Sequence, residues 1–326
     1  MQLSLSMKHL LLTGLLFISF CTVHAGGPWT LKKGHAYTSL NASYLGYNAI
    51  YGPTGSVIKL TRPVNEIGIG AFVEYGIIDR LTISLDLPFR IISTGSTDTT
   101  IATPYFPDTL EQGRIIGMNY IGIGAKYRFL DKKIKMAGHL NYEVNTSSVD
   151  ANSGLRTGPA AHVISPKVSI GASFGKDKFY AYGEVGPRFR FPNLNNKNDS
   201  TAQYSHDLDY TAEIGYSWNG KTYFALVVSG RSNLTQGTYD NGSTTIIESD
   251  SLGLPISSYT YESDLQNGVS PNRQQYLGYG LKFSQGFGNF AVNLGVYMGI
   301  GKRVAAAPSF NLGFSYTFKP KEKKEG

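Results

Sequence analysis

The stretch Leu81-Thr82-Ile83-Ser84-Leu85-Asp86-Leu87-Pro88-Phe89-Arg90 alternates between apolar side chains and a second, mostly polar set. A period of two belongs to a β-strand, in which successive side chains point to opposite faces, and differs from the 3.6-residue period of a helix. Leu81, Ile83, Leu85, Leu87 and Phe89 share one face, while Asp86 and Arg90 share the other. We therefore predict a strand with one face in hydrocarbon and the other in water.

The composition favours a β-barrel wall over an ordinary soluble domain. The chain has 326 residues, of which 41% are hydrophobic and 16% charged, against about 25% charged in typical soluble domains. It contains 38 Gly, 22 Tyr and 17 Phe residues. Glycine and aromatic enrichment together suit a strand-rich wall with aromatic girdles.

The N-terminal segment predicts export from the cytoplasm. Lys8 precedes an apolar run over residues 10–23, and Val23-His24-Ala25 stands before Gly26. We interpret residues 1–25 as a signal peptide cleaved after Ala25. The alternative, a membrane anchor, is disfavoured because the run is shorter than the roughly 20 apolar residues that a spanning helix needs.

Cysteine usage narrows the chemistry of the mature chain. The only cysteine, Cys21, lies in the signal peptide, and Phe20 stands where a lipoprotein would need a small residue. Neither a disulfide framework nor a thiolate metal site is then expected after cleavage. No later stretch has the apolar length of a transmembrane helix, whereas strands that face lipid on one side only are compatible with the sequence.

Alternation recurs in about twelve runs, with ten as the alternative count. They lie near residues 35–46, 66–75, 81–92, 115–129, 134–146, 164–174, 179–190, 207–218, 222–231, 275–285, 290–300 and 309–318. An even number of antiparallel strands fits a closed bacterial outer-membrane barrel. We predict an all-β fold, a closed antiparallel transmembrane barrel over residues 26–318, with a charged periplasmic tail over residues 319–326.

The connections between these runs alternate between two kinds. Short connections at residues 76–80, 130–133, 175–178, 219–221 and 286–289 carry the Asp, Asn and Gly of tight hairpin turns. Long polar connections fill residues 93–113, 148–163, 191–206 and 232–274. Short turns face the periplasm and long loops face outside in such barrels, whereas a soluble β-sandwich has no reason to alternate in this way. We therefore expect the protein in the outer membrane of a Gram-negative cell.

Three motifs resemble a known group of proteins. They are Gly27-Pro28-Trp29-Thr30-Leu31-Lys32-Lys33-Gly34, Phe72-Val73-Glu74-Tyr75-Gly76-Ile77-Ile78-Asp79-Arg80-Leu81-Thr82, and the terminal aromatic strand. Together they resemble outer-membrane transporters that include barrels named for the meta-pathway of phenol degradation and the similar XagA-type proteins. The resemblance implies a transport barrel but no substrate, and the charged tail after Phe318 departs from barrels that end on their last aromatic residue.

On each predicted strand, the face that carries the polar residues predicts which charged side chains line the lumen. We expect candidate constriction residues that form an acidic ring near mid-height and a mouth that is basic on balance on the extracellular side. These candidates are Asp86, Arg90, His139, Glu143, Lys167, Glu184, Arg188, Arg190, Asp207, Asp209 and Glu213. They either form a polar network that fills a narrow barrel or line a path for small hydrophobic or anionic solutes, with Arg90, Arg188 and Arg190 attracting anions.

A sharper prediction concerns the strands on either side of residues 191–206. If Arg190 lies opposite Asp207, then Arg188 faces Asp209 and Glu184 faces Glu213. A close carboxylate pair would raise one pKa or recruit a Lys or Arg from a neighbouring strand.

Other functional classes find less support. Catalysis is not expected, because an acyl hydrolase needs a serine beside a histidine, and His139 has no serine near it on its own strand face. No metal-ligand spacing or other cofactor motif is present, and the dispersed basic residues do not suggest nucleic acid. Residues 232–274 leave adhesion through an extracellular loop as the alternative function. The expected partners are outer-membrane lipid and lipopolysaccharide, small solutes and the barrel-assembly machinery.

Overall fold

The computed structural model describes residues 27–52, 54–97, 111–150, 152–159, 161–192, 204–235, 244–249, 255–261 and 273–320. Among these residues no helix is long and apolar enough to cross a membrane. The predicted signal peptide lies outside the described residues, as do residues 321–326 of the predicted tail.

The strands overlap all twelve predicted runs, but the second strand begins at Val57, nine residues before its predicted run, and two short strands lie within residues 244–261, where a loop was predicted. They are β1 (Ala36–Tyr51), β2 (Val57–Ile78), β3 (Leu81–Thr94), β4 (Gly113–Met118), β5 (Tyr120–Asp131), β6 (Ile134–Asn145), β7 (Ala161–Phe174), β8 (Phe179–Pro192), β9 (Asp207–Ser217), β10 (Thr222–Asn233), β11 (Thr244–Ser249), β12 (Pro255–Tyr261), β13 (Gln275–Phe287), β14 (Phe290–Lys302), β15 (Val304–Ala305) and β16 (Ser309–Phe318).

Twelve antiparallel barrel strands close on themselves. β1 pairs with both β2 and β16, which joins the two ends of the sheet. β4 and β5 together form one barrel strand beside β3, and β15 pairs with the end of β1. Within the described part of the chain, β11 pairs only with β12. The prediction of a closed twelve-stranded barrel is confirmed.

The break between β4 and β5 has a local cause. Pro88 of β3 has no N–H to donate to a neighbouring strand, and the carbonyl of Pro88 instead accepts a hydrogen bond of 2.8 Å from the N–H of Asn119. Asn119 stands outside the regular ladder between Met118 and Tyr120. The predicted run near residues 115–129 is therefore one strand with an irregular step.

The outer surface of the barrel is an apolar belt. Large hydrophobic side chains of the outward parity are exposed, among them Leu40, Leu85, Leu281 and Phe314. A closed ladder satisfies the backbone hydrogen bonds internally, which hydrocarbon requires. The apolar belt and the closed ladder place this barrel in the outer membrane.

Tyrosines opposite glycines explain part of the unusual composition. Tyr180 lies directly opposite Gly215, and Tyr297 directly opposite Gly280. A Cβ on either glycine would collide with the tyrosine ring. The ring therefore lies flat on bare backbone, which covers the glycine and fixes the direction of the phenol group.

The register of β8 against β9 differs from the prediction by two residues. Arg188 lies opposite Asp207, Glu184 opposite Thr211, and Tyr182 opposite Glu213. The long connection between these strands does not fix their register, and a shift of two preserves the inward parity. The predicted Glu184–Glu213 opposition is wrong, although all the charges involved still face the lumen.

Candidate solute path through the barrel lumen

Two adjoining cavities occupy the lumen along the barrel axis. The inner chamber has a volume of about 610 Å³ and the outer chamber about 390 Å³. Tyr120 and Asn311 line both, so they mark the threshold between the chambers. The outer chamber lies toward the extracellular end, because the strand ends that carry Arg90, Arg188 and Arg190 lead into the long loops. The inner chamber begins near the periplasmic end and also reaches Val304 and Ala305, beside the extracellular end of β1.

Arginines on the outer-chamber surface bind carboxylates. The Nε of Arg90 donates to Glu66 at 2.9 Å, and Arg188 approaches Glu143 at 2.5 Å. Arg190 lies 2.6 Å from Asp207. The three predicted arginines are therefore all charge-compensated, by carboxylates on three different strands.

A fourth arginine was not among the predicted candidates. Arg231 of β10 donates to both oxygens of Asp209, at 2.7 and 3.2 Å, and lies 3.7 Å from Asp207. Arg231 and Glu66 were missed because β10 carries apolar residues on both faces and Glu66 begins a run of small and branched residues. The sequence did contain a signal for both, because Arg231 shares its strand face with Ser229, and Glu66 shares its strand face with Gly68.

Lysines bind the carboxylates of the inner chamber. Lys282 lies 2.9 Å from Glu213, which also accepts a hydrogen bond from the Tyr180 hydroxyl. Lys167 lies 3.2 Å from Glu184, and Lys126 lies 3.1 Å from Glu74. Each of Glu184 and Glu213 has its own lysine, and the close carboxylate pair on which the predicted recruitment of a cation depended is not formed.

Asp86 and Tyr120 form the threshold contact. The Tyr120 hydroxyl donates to Asp86 at 2.9 Å. Gly122, the next inward residue on β5, would carry a Cβ against both side chains. The missing Cβ therefore leaves room for the Tyr120 ring to lie beside Asp86.

His139 contacts a serine that sequence reasoning overlooked. Its Nε2 lies 2.7 Å from Ser169 Oγ and 3.6 Å from Glu184 Oε2. Ser169 is on the neighbouring strand β7 and is fully buried. A hydrolytic triad needs the acid on the opposite ring nitrogen and a nucleophile that substrate can reach. The geometry is that of a lumenal hydrogen bond.

In the part of the chain that the structure describes, no group of three or more His, Cys, Asp or Glu side chains is arranged to hold a metal ion. The carboxylates of the chambers instead contact lysine, arginine or tyrosine.

Residues 27–34 lie across the periplasmic end of the lumen. Leu31 donates its N–H to Thr82 Oγ1 at 2.9 Å, and Lys33 donates its N–H to Asp79 Oδ1 at 2.8 Å. On the opposite side of the lumen, the Trp29 ring contacts the rings of Tyr180 and Tyr182 of β8 edge to face, with ring centroids 6.2 and 5.8 Å apart. This N-terminal segment therefore narrows the periplasmic opening from β3 across to β8.

An apolar cluster fills part of the extracellular end. Leu155, from the connection between β6 and β7, is fully buried and belongs to a cluster with Tyr47, Ile50, Val64, Ile92 and Ile115. The connection is held over the lumen by Thr157, whose hydroxyl donates to the Met118 carbonyl at 2.9 Å. An apolar residue within a polar loop gave little sequence signal for this role.

Comparisons with known proteins show the fold. No family model and no curated protein matches the chain. A COG4313 outer membrane channel from Pseudomonas putida F1 superposes with a TM-score of 0.65 at 14% identity, over 91% of this chain and 100% of that chain. The NanC porin reaches 0.44 at 8% identity, over 86% and 98%, and the KdgM porin 0.43 at 7%, over 87% and 99%.

Proposed function

We propose that this barrel lets small solutes pass passively through its lumen, and that it is related to the transporter barrels named for phenol degradation and XagA. The observation that carries the proposal is the adjoining pair of chambers along the axis of a closed barrel. A twelve-stranded barrel lies between eight-stranded barrels filled by side chains and the open 16- to 18-stranded porins. The path is accordingly narrow.

Anionic groups are favoured in the outer chamber. Among the described residues, four arginines and one carboxylate, Glu66, line it. Their other partner carboxylates are in direct contact with them, but Asp207 is fully buried, and Glu143 and Asp209 line the inner chamber. Compensated guanidinium groups still contribute a positive potential to the chamber that they line, although Glu143 and Asp209 are more exposed than their partners Arg188 and Arg231.

Single-channel recording in planar bilayers tests this function. We expect small conductance steps whose preference for chloride over potassium falls when Arg90, Arg188 and Arg190 are each replaced by Gln together with their partner carboxylate. The matched control is the Arg62–Glu111 ion pair, at 2.9 Å, which lines neither chamber. An absence of steps in reconstituted, folded protein would contradict the proposal.

The periplasmic rim supports contact with lipid headgroups. Exposed lysines follow exposed aromatic residues in several turns, as Lys221 follows Trp218 and Lys319 follows Phe318. Interfacial aromatics and basic groups anchor proteins at headgroup level. Quenching of Trp218 fluorescence by lipids brominated in the upper acyl chain, in a Trp29→Phe background, measures this depth. Insertion of the folded barrel by the assembly machinery and contact with lipopolysaccharide remain further proposals.

A role in adhesion through residues 232–274 stays a prediction. Of the central part of this segment, only the backbone of β11 and β12 is described.

A further inference from the structure

The charges that line the chambers are confined to one arc of the barrel wall. Every charged residue of the described lining lies on β2, β3, β5 to β10 or β13, whereas β14, β16 and β1 contribute only uncharged residues to it. Strands β14 and β6 are six steps apart in either direction around the closed ring of twelve strands, so they face each other across the lumen. The uncharged arc therefore lies opposite a polar wall that includes His139, Asn141 and Glu143 of β6.

The ring of Tyr297 on β14 is the main aromatic surface of the uncharged arc. It lies on the bare backbone of Gly280 and Gly295, because a Cβ on these residues would come within 2.3 and 2.7 Å of ring atoms. Both glycines are buried, whereas Tyr297 is half-buried and lines the inner chamber. One side of the ring therefore covers the wall, and the ring borders the chamber on its other side.

Apolar side chains extend this surface toward the extracellular end. Val304 lies beside Gly299, the next inward residue of β14, at 3.5 Å from the position of a Cβ there. Three more apolar side chains also line the inner chamber, and together with Tyr297 and Val304 they form an apolar platform, whose other members are Leu45, Ala305 and Ala307.

The charged arc as a whole is electrically balanced. Among the described residues that line the two chambers, three lysines and four arginines stand against seven carboxylates. Their contacts run from strand to strand around the wall, as from Arg231 to the directly opposite Asp209. A charged solute gains full contact only by displacing one of these partners, whereas a hydroxyl can donate to a paired carboxylate or accept from a paired ammonium group.

We infer that the inner chamber selects neutral monosaccharides in their ring form. The inference rests on the passage of solutes proposed above and names their class. A pyranose carries C–H groups on its faces and hydroxyl groups at its edge. The C–H groups are attracted to the negative face of an aromatic ring, so one face of the sugar can pack on Tyr297 while its hydroxyls reach the polar wall opposite. An acyclic polyol has no such flat face, and an apolar ring would leave the polar wall without new partners.

Uptake into proteoliposomes by the full-length mature protein tests the inference, with protein-free liposomes as the baseline. The radiolabelled probes are glucose, its acyclic alcohol sorbitol, glucuronate and glucosamine, at a mildly acidic pH that ionises the last two. We expect glucose to enter about three- to tenfold faster than sorbitol, and faster than either charged sugar. Equal entry of glucose and sorbitol, or entry of a charged sugar at the rate of glucose or above, would overturn the sugar inference but leave the channel intact. Failure of all four probes to enter would overturn the channel itself.

Variants of Tyr297 identify the platform. Tyr297→Leu removes the aromatic face and should abolish most of the preference for glucose over sorbitol, whereas Tyr297→Phe keeps the ring and should retain it. The matched control is Tyr210, which lies over Gly230 in the same manner but lines neither chamber. Tyr210→Leu should leave the preference unchanged. A preference that survives Tyr297→Leu, or an equal loss in both leucine variants, would contradict the assignment. Heat-modifiable mobility on gels verifies that each variant is folded.

Discussion

Replacing Asp207 by Asn tests how tightly the outer-chamber charges are coupled. The Asp207 side chain is fully buried, 2.6 Å from Arg190 and 3.7 Å from Arg231, and accepts a hydrogen bond from Ser205 at 3.1 Å. At an effective dielectric constant of about 20, the contact at 2.6 Å corresponds to an attraction of about 6 kcal/mol. The cost of desolvating both ions offsets part of this attraction.

The net effect follows from what the substitution leaves behind. Arg190 would remain almost completely buried beside Arg188 and Arg231, without its carboxylate contact to Asp207. Breaking a buried pair on one side costs about 3–5 kcal/mol. Arg190→Gln should cost less, because Arg231 remains near Asp207. We therefore expect the free energy of unfolding to fall more in Asp207→Asn than in Arg190→Gln.

Urea unfolding in lipid vesicles, followed by tryptophan fluorescence, measures both effects and that of the double variant. A coupling energy near 2 kcal/mol or more is expected from the double-mutant cycle. The same Asp207→Asn protein should show a larger preference for chloride over potassium in bilayer recordings, because the outer chamber gains a net positive charge. A loss of less than about 1 kcal/mol, with unchanged ion preference, would refute the reasoning.

Three further changes test the two ends of the lumen. Trp29→Ala removes the ring that meets Tyr180 and Tyr182, so single-channel conductance should rise if the N-terminal segment narrows the opening. Leu155→Ala should destabilise the extracellular cluster by about 2–5 kcal/mol, seen as faster amide hydrogen exchange in residues 146–159 but not in the barrel strands. The pKa of Asp150 is lowered by hydrogen bonds from the Ser153 hydroxyl and the Asn152 N–H. The ionised Asp150 carboxylate therefore stabilises the folded loop fully above the usual aspartate pKa of about 4, and this stabilisation is lost as the pH falls through the lowered pKa. The protection of the loop against hydrogen exchange should accordingly decrease only when the pH falls below about 4.

The positions of the strands could be predicted because polar residues that face the lumen and apolar residues that face lipid alternate along each of them. Leu85 and Asp86 show the rule directly, since a single alternation assigns one to lipid and the other to the lumen. The same parity placed Glu143, Glu184 and Glu213 inside. It contains no information about height relative to another strand, and so the register of β8 against β9 was missed by two residues.

Contacts between side chains on strands that are not neighbours could also not be predicted from the sequence. Arg188 on β8 pairs with Glu143 on β6, across the intervening strand β7. Such a contact depends on strand tilt and side-chain length, which alternation does not encode. The roles of Trp29 and Leu155 were missed for a related reason, because both belong to segments without a period, where only the folded barrel decides what they cover.

The crossed ion pairs bear on why the lumen is charged at all. Arg188 reaches over β7 to Glu143, while Lys167 of β7 reaches Glu184 of β8. Buried ion pairs are poor sources of stability, since well-packed apolar residues of similar volume often do as well or better. A barrel that only needed filling could use apolar side chains at these positions. The charged side chains that line the chambers are instead what the proposed passage of polar solutes requires.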